Sequence, residues 1–300
     1  MTQPAESPLI APCDSEQSCV SYFFSKRWPG GFYCPFCGSA QPQHPPALIV
    51  VCRLCRRQTS ITAHTVMHGS KKGLISWIRV AHCFCSEAKG ISARRLQHLL
   101  ELSCYQTAWN WLQKIRQAAA LAEAAPCSNE VLFTTAELPV AGLAAASPPT
   151  IAVALNLERS RMEDNRIRLM VLADDHPQTI GTVLDQLVTR QATRLKVLHS
   201  VHLPAAVTER YWLASADRQQ SAMAETVVKD LRSWLEEVYR GGVNPEYLQN
   251  YLDEFTFRYN TAAWPNRRAV LDHLLCGLIT PLPLVGHPTP KNLAFAEERR

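Results

Sequence analysis

Four cysteines near the start of the chain have the type and spacing of metal ligands. They form two C-x-x-C pairs, Cys34 with Cys37 and Cys52 with Cys55, separated by fourteen residues. Two intervening residues let both thiolates of a pair reach one ion at roughly 2.3 Å, and two such pairs can complete a tetrahedral sulfur site. Two disulfides or four unrelated buried thiols are the alternatives. The spacing favours a structural Zn²⁺ ion held by all four cysteines.

The residues around these cysteines predict tight turns within a small zinc ribbon. Pro35 sets the first turn, and Gly38 is free to take a positive φ angle after it. The stretch Thr59–Ala63 suits a last short strand. We place the ribbon at residues 28–70, after a flexible leader at residues 1–27.

The other cysteines are expected to be structural. The chain has eleven cysteines, and its N-terminus has neither a basic flank nor a long apolar run, so we expect no secretory signal. This combination indicates a reducing cytosol, where thiols bind metal or stay free. We expect five further thiols to be buried and free: Cys83, Cys85, Cys104, Cys127 and Cys276.

Basic residues are concentrated in one segment. Residues 51–117 contain eleven Lys or Arg against two acidic residues, whereas the whole chain has a net charge of +5. Such a segment beside a zinc site favours a polyanion, most simply double-stranded DNA, over a merely solvated helix face. The composition is that of an ordinary soluble protein, and no apolar run approaches the roughly 20 residues that span a bilayer. We therefore expect a cytoplasmic, nucleoid-associated protein with no membrane contact.

Helical periodicity follows the ribbon. It predicts a helix over about 73–86, then a helix of about nine residues capped by Ser92, and a further helix from about Tyr105 to Ala122. The last two, joined by a short turn, make a helix-turn-helix within a helical region at 71–122. Its second helix should turn four residues inward: Ala108, Trp111, Leu112 and Ile115.

Polar and basic residues of the ribbon and these helices are the candidate DNA contacts. An amphipathic helix pair alone is more often core, but Arg94, Arg95, Lys114 and Arg116 around it favour DNA reading. The full candidate set is Arg56, Arg57, Lys71, Lys72, Arg94, Arg95, Gln106, Thr107, Asn110 and Lys114.

The pattern then changes to strands. Runs at Val131–Ala136, Ile151–Leu157 and Ile167–Ala173 precede a helix over 176–190, and two further strands are expected at 195–199 and 211–214. Closing helices are expected at about 221–240, 245–260 and 267–277. The fold class is therefore α/β (α+β multidomain), with a ribonuclease-H-like mixed sheet and its helices at 129–277 and a tail at 278–300.

Several motifs resemble bacterial insertion-sequence transposases with an N-terminal zinc ribbon and a DDE-type, ribonuclease-H-like, ISXO-type domain. The stretch 60–72, SITAHTVMHGSKK, is similar to that family's "SVTAGTIFHGTK", and Trp77 falls where its first helix has tryptophan. KGISA at 89–93 and YQTAW at 105–109 resemble its helix-turn-helix. YLDEFTFRYN at 251–260 resembles its closing "LDEFxFRFN" helix. The resemblance spans about residues 28–277.

The resemblance implies a nuclease that holds two divalent ions, such as Mg²⁺, on carboxylates. Carried onto this chain, the first carboxylate position falls at Thr134, the second near Ser200–His202 at Val201, and the third at about Asp230. Only Asp230 is a carboxylate. We therefore expect a degenerate centre, with Thr134 and Val201 as its vestigial partners. Other carboxylates that could form a shifted site are Glu130, Glu137, Asp174, Asp175 and Asp217.

Three functions remain open from the sequence. The first is a transposase-like DNA-binding protein with impaired or lost strand transfer, using structural zinc. The second is an active transposase, which would also use Mg²⁺. The third is a non-enzymatic regulator or protein-interaction module. The resemblance also implies a homo-oligomer.

Overall fold

The computed structural model describes residues 13–87, 89–139, 148–157, 166–189, 194–198, 201–239 and 243–282. Within these ranges the chain forms a ribbon with helices around it and a separate mixed sheet covered by helices. This agrees with the predicted mixed α/β class. No helix in the described ranges is long and apolar enough to cross a membrane.

The first described element is a helix that the sequence reading missed. Helix α1, Glu16–Arg27, begins at a capping box formed by Ser15 and Ser18. Its apolar side chains are buried against helix α2, Leu74–Ser86, and helix α9, Arg267–Ile279. Residues 16–27 are therefore not a flexible leader. Their apolar stripe is short, and tertiary packing rather than a strong local pattern stabilises the helix.

The ribbon consists of two short antiparallel hairpins. The first pairs β1, Phe32–Tyr33, with β2, Ala40–Gln41; the second pairs β3, Ile49–Val51, with β4, Gln58–Ser60. The predicted last strand thus ends at Ser60, and residues 61–69 turn toward the helices.

Three helices follow at nearly the predicted positions: α2, Leu74–Ser86; α3, Ala93–Leu99; and α4, Tyr105–Ala122. Ser92 caps α3 by accepting a hydrogen bond from the Arg95 amide at 3.2 Å, as the sequence indicates. The stacked rings of Trp77 and Trp111, 4.8 Å apart, join α2 to α4. The ribbon, α1 to α4 and the C-terminal helix share one hydrophobic core.

The second half contains a five-stranded sheet in the order β7-β6-β5-β8-β9. Its strands are β5, Glu130–Glu137; β6, Thr150–Asn156; β7, Ile167–Val171; β8, Arg194–Val197; and β9, Trp212–Ser215. The pairs β5–β6 and β6–β7 are antiparallel, whereas β5–β8 and β8–β9 are parallel. A central first strand with this neighbour order is the ribonuclease-H-like arrangement that the sequence predicts.

Helices cover both faces of this sheet. Helices α5, Pro177–Leu187, and α6, Ala205–Thr208, pack on one face, while α7, Arg218–Val238, and α8, Leu248–Thr261, pack on the other. A 3₁₀ turn at Pro245–Tyr247 precedes α8. The last helix, α9, Arg267–Ile279, packs on α4 and α2, so the first two residues of the predicted tail are helical.

Buried charges join the helical half to the sheet half. Arg116 of α4 donates to Glu254 of α8 at 2.8 Å, with both side chains essentially inaccessible. Burial raises the pKa of Glu254, but Arg258 and Arg116 outweigh it and hold that pKa below its usual value. Arg116 also donates to the Tyr239 hydroxyl at 3.0 Å. Arg116, one of the cations that favour DNA reading in the sequence, is thus a buried structural residue.

Candidate functional site

The four predicted metal ligands converge at the tips of the two ribbon hairpins. Their sulfur atoms all lie within 4.8 Å of one another. The Sγ–Sγ distances are 3.7 Å for Cys34–Cys55 and for Cys37–Cys52. Four sulfurs at roughly 2.3 Å from a tetrahedral ion would be about 3.8 Å apart. The donor set therefore fits a Zn²⁺ ion, as the spacing predicts.

The two cysteine turns are built alike. The Gly38 amide donates to the Cys34 carbonyl at 3.0 Å, and the Arg56 amide donates to the Cys52 carbonyl at 3.0 Å. Both residues have positive φ angles, +73° for Gly38 and +62° for Arg56. The second turn thus places an arginine in a backbone conformation that glycine adopts without strain.

Polar groups next to the cluster favour thiolates. Backbone amides of Cys55 and Leu54 lower the pKa of the Cys52 thiol to about 6. The Ser39 amide lowers the pKa of Cys37, but desolvation and the neighbouring thiols outweigh it and the net pKa is about 12. The Gln41 amide donates to Cys52 Sγ at 3.0 Å. The backbone amides therefore favour the thiolate form at Cys52 more than at Cys37.

The cysteines outside the ribbon only partly match expectation. Cys85 and Cys127 are buried free thiols, as predicted, whereas Cys83 and Cys276 are half-buried and Cys104 is exposed. Cys13 and Cys19 form a disulfide that ties the segment before α1 to its first turn. The expectation that every thiol outside the metal site stays free is therefore wrong for this pair.

The structure supports the inward face of the helix-turn-helix. Ala108, Trp111, Leu112 and Ile115 are buried in the core shared with the ribbon. On the outer face Gln106 and Asn110 are exposed, and the Gln106 amide donates to Asn110 at 3.1 Å. This hydrogen bond leaves one carbonyl and one amide group of the pair directed at solvent.

The remaining candidate DNA contacts differ in accessibility. The exposed ones are Arg56, Arg57, Lys71, Lys72, Arg94 and Arg95. Thr107 and Lys114 are half-buried, and the Lys114 ammonium lies 5.6 Å from the Trp77 ring centroid. Arg95 forms a loose ion pair with Glu87 at 3.4 Å. Most of these cations are therefore available to an external anion.

A cleft of about 360 Å³ lies between the end of β5 and helix α7, where the resemblance implies the first carboxylate position. Alternation along β5 points Leu132 and Thr134 toward α7, and Thr134 lines the cleft. Facing it are Glu225, Lys229 and Arg232 of α7. Leu198, at the end of β8, lines this cleft and also a neighbouring one that contains Val201.

Asp230 is not among the residues that line this cleft. A helix rotates by about 100° per residue, so Asp230 lies about 160° around the axis from Val228, which does line the cleft. The side chain of Asp230 is exposed instead. The structure therefore brings Thr134 to the cleft, places Val201 beside it and does not bring Asp230 there. Helical rotation identifies Glu225, which the sequence reading missed.

The other carboxylates considered for a shifted site are mostly engaged elsewhere. Asp174 accepts from the His176 amide at 3.0 Å at the start of α5, and Asp217 caps α7. Glu130 pairs with Lys196 at 3.6 Å, at the opposite end of β5 from the cleft. Glu137 alone of this set lines the cleft. Within the described ranges, the cysteine cluster is the one group of three or more His, Cys, Asp or Glu side chains close enough to hold a metal ion.

Two family models match the chain. The transposase zinc-ribbon domain matches residues 14–58, and the ISXO2-like transposase domain matches residues 142–260. No curated protein and no solved structure matches it. The chain therefore carries both domains of an IS1595 family transposase and is a transposase-related protein.

Proposed function

Starting from this relationship, we propose that the protein is a transposase-derived DNA-binding protein with impaired or lost strand transfer. It holds double-stranded DNA through the zinc ribbon and the helix-turn-helix. Structural Zn²⁺ keeps the ribbon folded, because the ribbon is otherwise two very short hairpins.

The observation that carries this proposal is the chemistry of the cleft at Thr134. Two-metal strand transfer needs several carboxylate oxygens around a pair of ions roughly 4 Å apart. The first-strand position offers a neutral hydroxyl, and α7 presents Lys229 and Arg232 to the same space. The cleft lining contains two cationic and two carboxylate side chains, and this balance does not fit a site that must hold two divalent metal ions, which together carry four positive charges. The ISXO2-like match also begins at residue 142, after the strand that carries Thr134.

The proposed DNA binding has independent support in the charge distribution. Lys71, Lys72 and Arg94 are exposed and form no salt bridge within the described ranges. Exposed cations without an acidic partner are available to contact phosphates.

Fluorescence anisotropy with a labelled duplex tests the binding half of the proposal. If the protein contacts about six phosphates, the log–log slope of affinity against salt should be about −5. Removing zinc with a chelator should abolish binding, because the ribbon unfolds. Arg94→Glu should weaken binding, whereas Arg218→Glu, at an exposed site on the sheet half, should change it little. Absence of DNA retention at low salt would contradict the proposal.

An active transposase is the second candidate, and one observation favours it. Glu137 and Glu225 both line the cleft that contains Thr134, so a displaced carboxylate pair is available there. This candidate requires Mg²⁺-dependent cleavage that is lost in Glu225→Gln. It also requires Lys229 to move away from the metals, so Lys229→Gln should increase cleavage.

A further inference from the structure

The two cysteine turns each expose an apolar side chain in the same position. Phe36 and Leu54 are the residues directly before the second cysteine of each turn, and they are 51% and 71% exposed. The matching hydrogen bonds of the two turns place them at equivalent points on the ribbon surface. Single exposed apolar residues are common, but an aligned pair on a zinc site is a candidate contact surface.

Three arginines lie on the second cysteine turn or directly after it. The Arg57 guanidinium lies 5.0 Å from the centroid of the Phe36 ring, and Arg53 and Arg56 are exposed on the second turn. Residues 28–70 contain no Asp or Glu. The partner of this surface must therefore offer anionic groups together with apolar contact area.

DNA with unpaired bases has this combination. In a paired duplex the base faces are stacked on each other, so a side chain can reach base edges in the grooves but not the flat faces. An unpaired base exposes a flat face that stacks on aromatic rings, with phosphates on either side for arginine. The guanidinium of Arg57 lies near one face of the Phe36 ring, and the rest of the ring surface is exposed and can stack on a base.

We propose that Phe36 and Leu54, which we call the knuckle tips, bind unpaired bases of DNA, while Arg53, Arg56 and Arg57 contact the adjacent phosphates. This rests on the DNA binding proposed above and adds a substrate class to it. The helix-turn-helix and the ribbon arginines hold paired DNA, and the knuckle tips recognise where the pairing ends.

The test compares two DNA molecules with full-length, zinc-loaded protein. One is a fully paired duplex, and the other is the same duplex with mismatched, unpaired bases at one end. Stacking of a single base should make binding to the unpaired-end duplex at least about fivefold tighter. Phe36→Ala should remove this preference and leave affinity for the paired duplex within about twofold. Leu48→Ala, an exposed ribbon residue outside the cysteine turns, is the matched control and should keep the preference.

Zinc stoichiometry and protection of the four thiols confirm that each variant is folded. Equal affinity of the unaltered protein for both duplexes would overturn the proposal, as would a Phe36→Ala variant that weakens both equally. A shift to a smaller species in Leu54→Ala, with unchanged DNA preference, would assign the knuckle tips to protein contacts instead. If neither duplex is retained at low salt, the proposed DNA binding itself fails, which is a distinguishable result.

Discussion

Replacing Arg56 with glycine should make the ribbon more stable and its DNA binding weaker. The residue has a φ angle of +62°, whereas glycine fills the equivalent place in the first turn at +73°. A side chain in this left-handed conformation costs roughly 1–2 kcal/mol. Replacing the side chain with glycine removes this strain, but it also makes the unfolded chain more flexible, which lowers the free energy of unfolding by up to about 1 kcal/mol. We expect the free energy of unfolding to rise by about 0.5–1 kcal/mol.

The DNA effect has the opposite sign. Arg56 is exposed beside the cysteine cluster, and its removal should cost one phosphate contact. The magnitude of the log–log salt slope should then fall by about 0.9. If the backbone of Arg56 is strained in the free protein and its side chain contacts DNA in the complex, the substitution should raise the free energy of unfolding and lower the magnitude of the salt slope together.

Competition with a chromophoric zinc chelator measures the stability change, because zinc binding and ribbon folding are coupled. The expected gain corresponds to about two- to fivefold tighter zinc binding. Arg53→Gly is the matched control: it removes the same charge from the same turn, but Arg53 is not among the residues with positive φ. That substitution should loosen zinc binding rather than tighten it.

Two results would refute this reasoning. Weaker zinc binding in Arg56→Gly, as in Arg53→Gly, would show that the left-handed backbone is not strained. Tighter zinc binding with an unchanged salt slope would show that Arg56 does not contact DNA.

Three further predictions concern the whole chain. Arg116→Met should lower the free energy of unfolding by about 3 kcal/mol, because buried Glu254 then keeps one cation, Arg258, beside the Tyr239 hydroxyl. Arg94→Met should change it by less than about 0.5 kcal/mol, and urea titration measures both. Burial raises the pKa of Asp253 to about 6, above its unfolded value of about 3.9, so the folded chain binds this proton more tightly than the unfolded chain. The free energy of unfolding should therefore fall by on the order of 1–3 kcal/mol as pH rises from about 4 to 7. Asp253→Asn should flatten that fall relative to the unaltered protein in thermal melts, and an unchanged pH profile would contradict the assigned cause. Removing zinc should leave the melting of the five-stranded sheet intact while abolishing DNA binding, and loss of both together would show that the ribbon and sheet unfold as one unit.

Local sequence patterns are sufficient to predict the ribbon and most of the helices and strands. The four cysteines lie within two tight turns, and Ser92 caps α3 through an amide three residues away, so the relevant chemistry lies in short stretches of sequence. The alternating strands are likewise predicted, because each buries one or both faces in the sheet core.

Long-range partners and helix rotation explain the errors. Arg116 lies among cations that favour DNA reading in the sequence, but its partner Glu254 is 138 residues away, so no local pattern shows that it is buried. Helix α1 depends on packing against α2 and α9, which no local pattern reports. Asp230 satisfies a spacing along the sequence but lies on the side of α7 away from the cleft, whereas Glu225 lines the cleft.

Cleavage of supercoiled plasmid tests the central claim most directly. Protein is added until gel shift shows saturation, and Mg²⁺ or Mn²⁺ is then supplied. We expect the plasmid to stay supercoiled, because the cleft at Thr134 lacks a metal-binding carboxylate set. Metal-dependent nicking that disappears in Glu225→Gln or Glu137→Gln, but persists in Asp230→Asn, would contradict the account and establish an active nuclease.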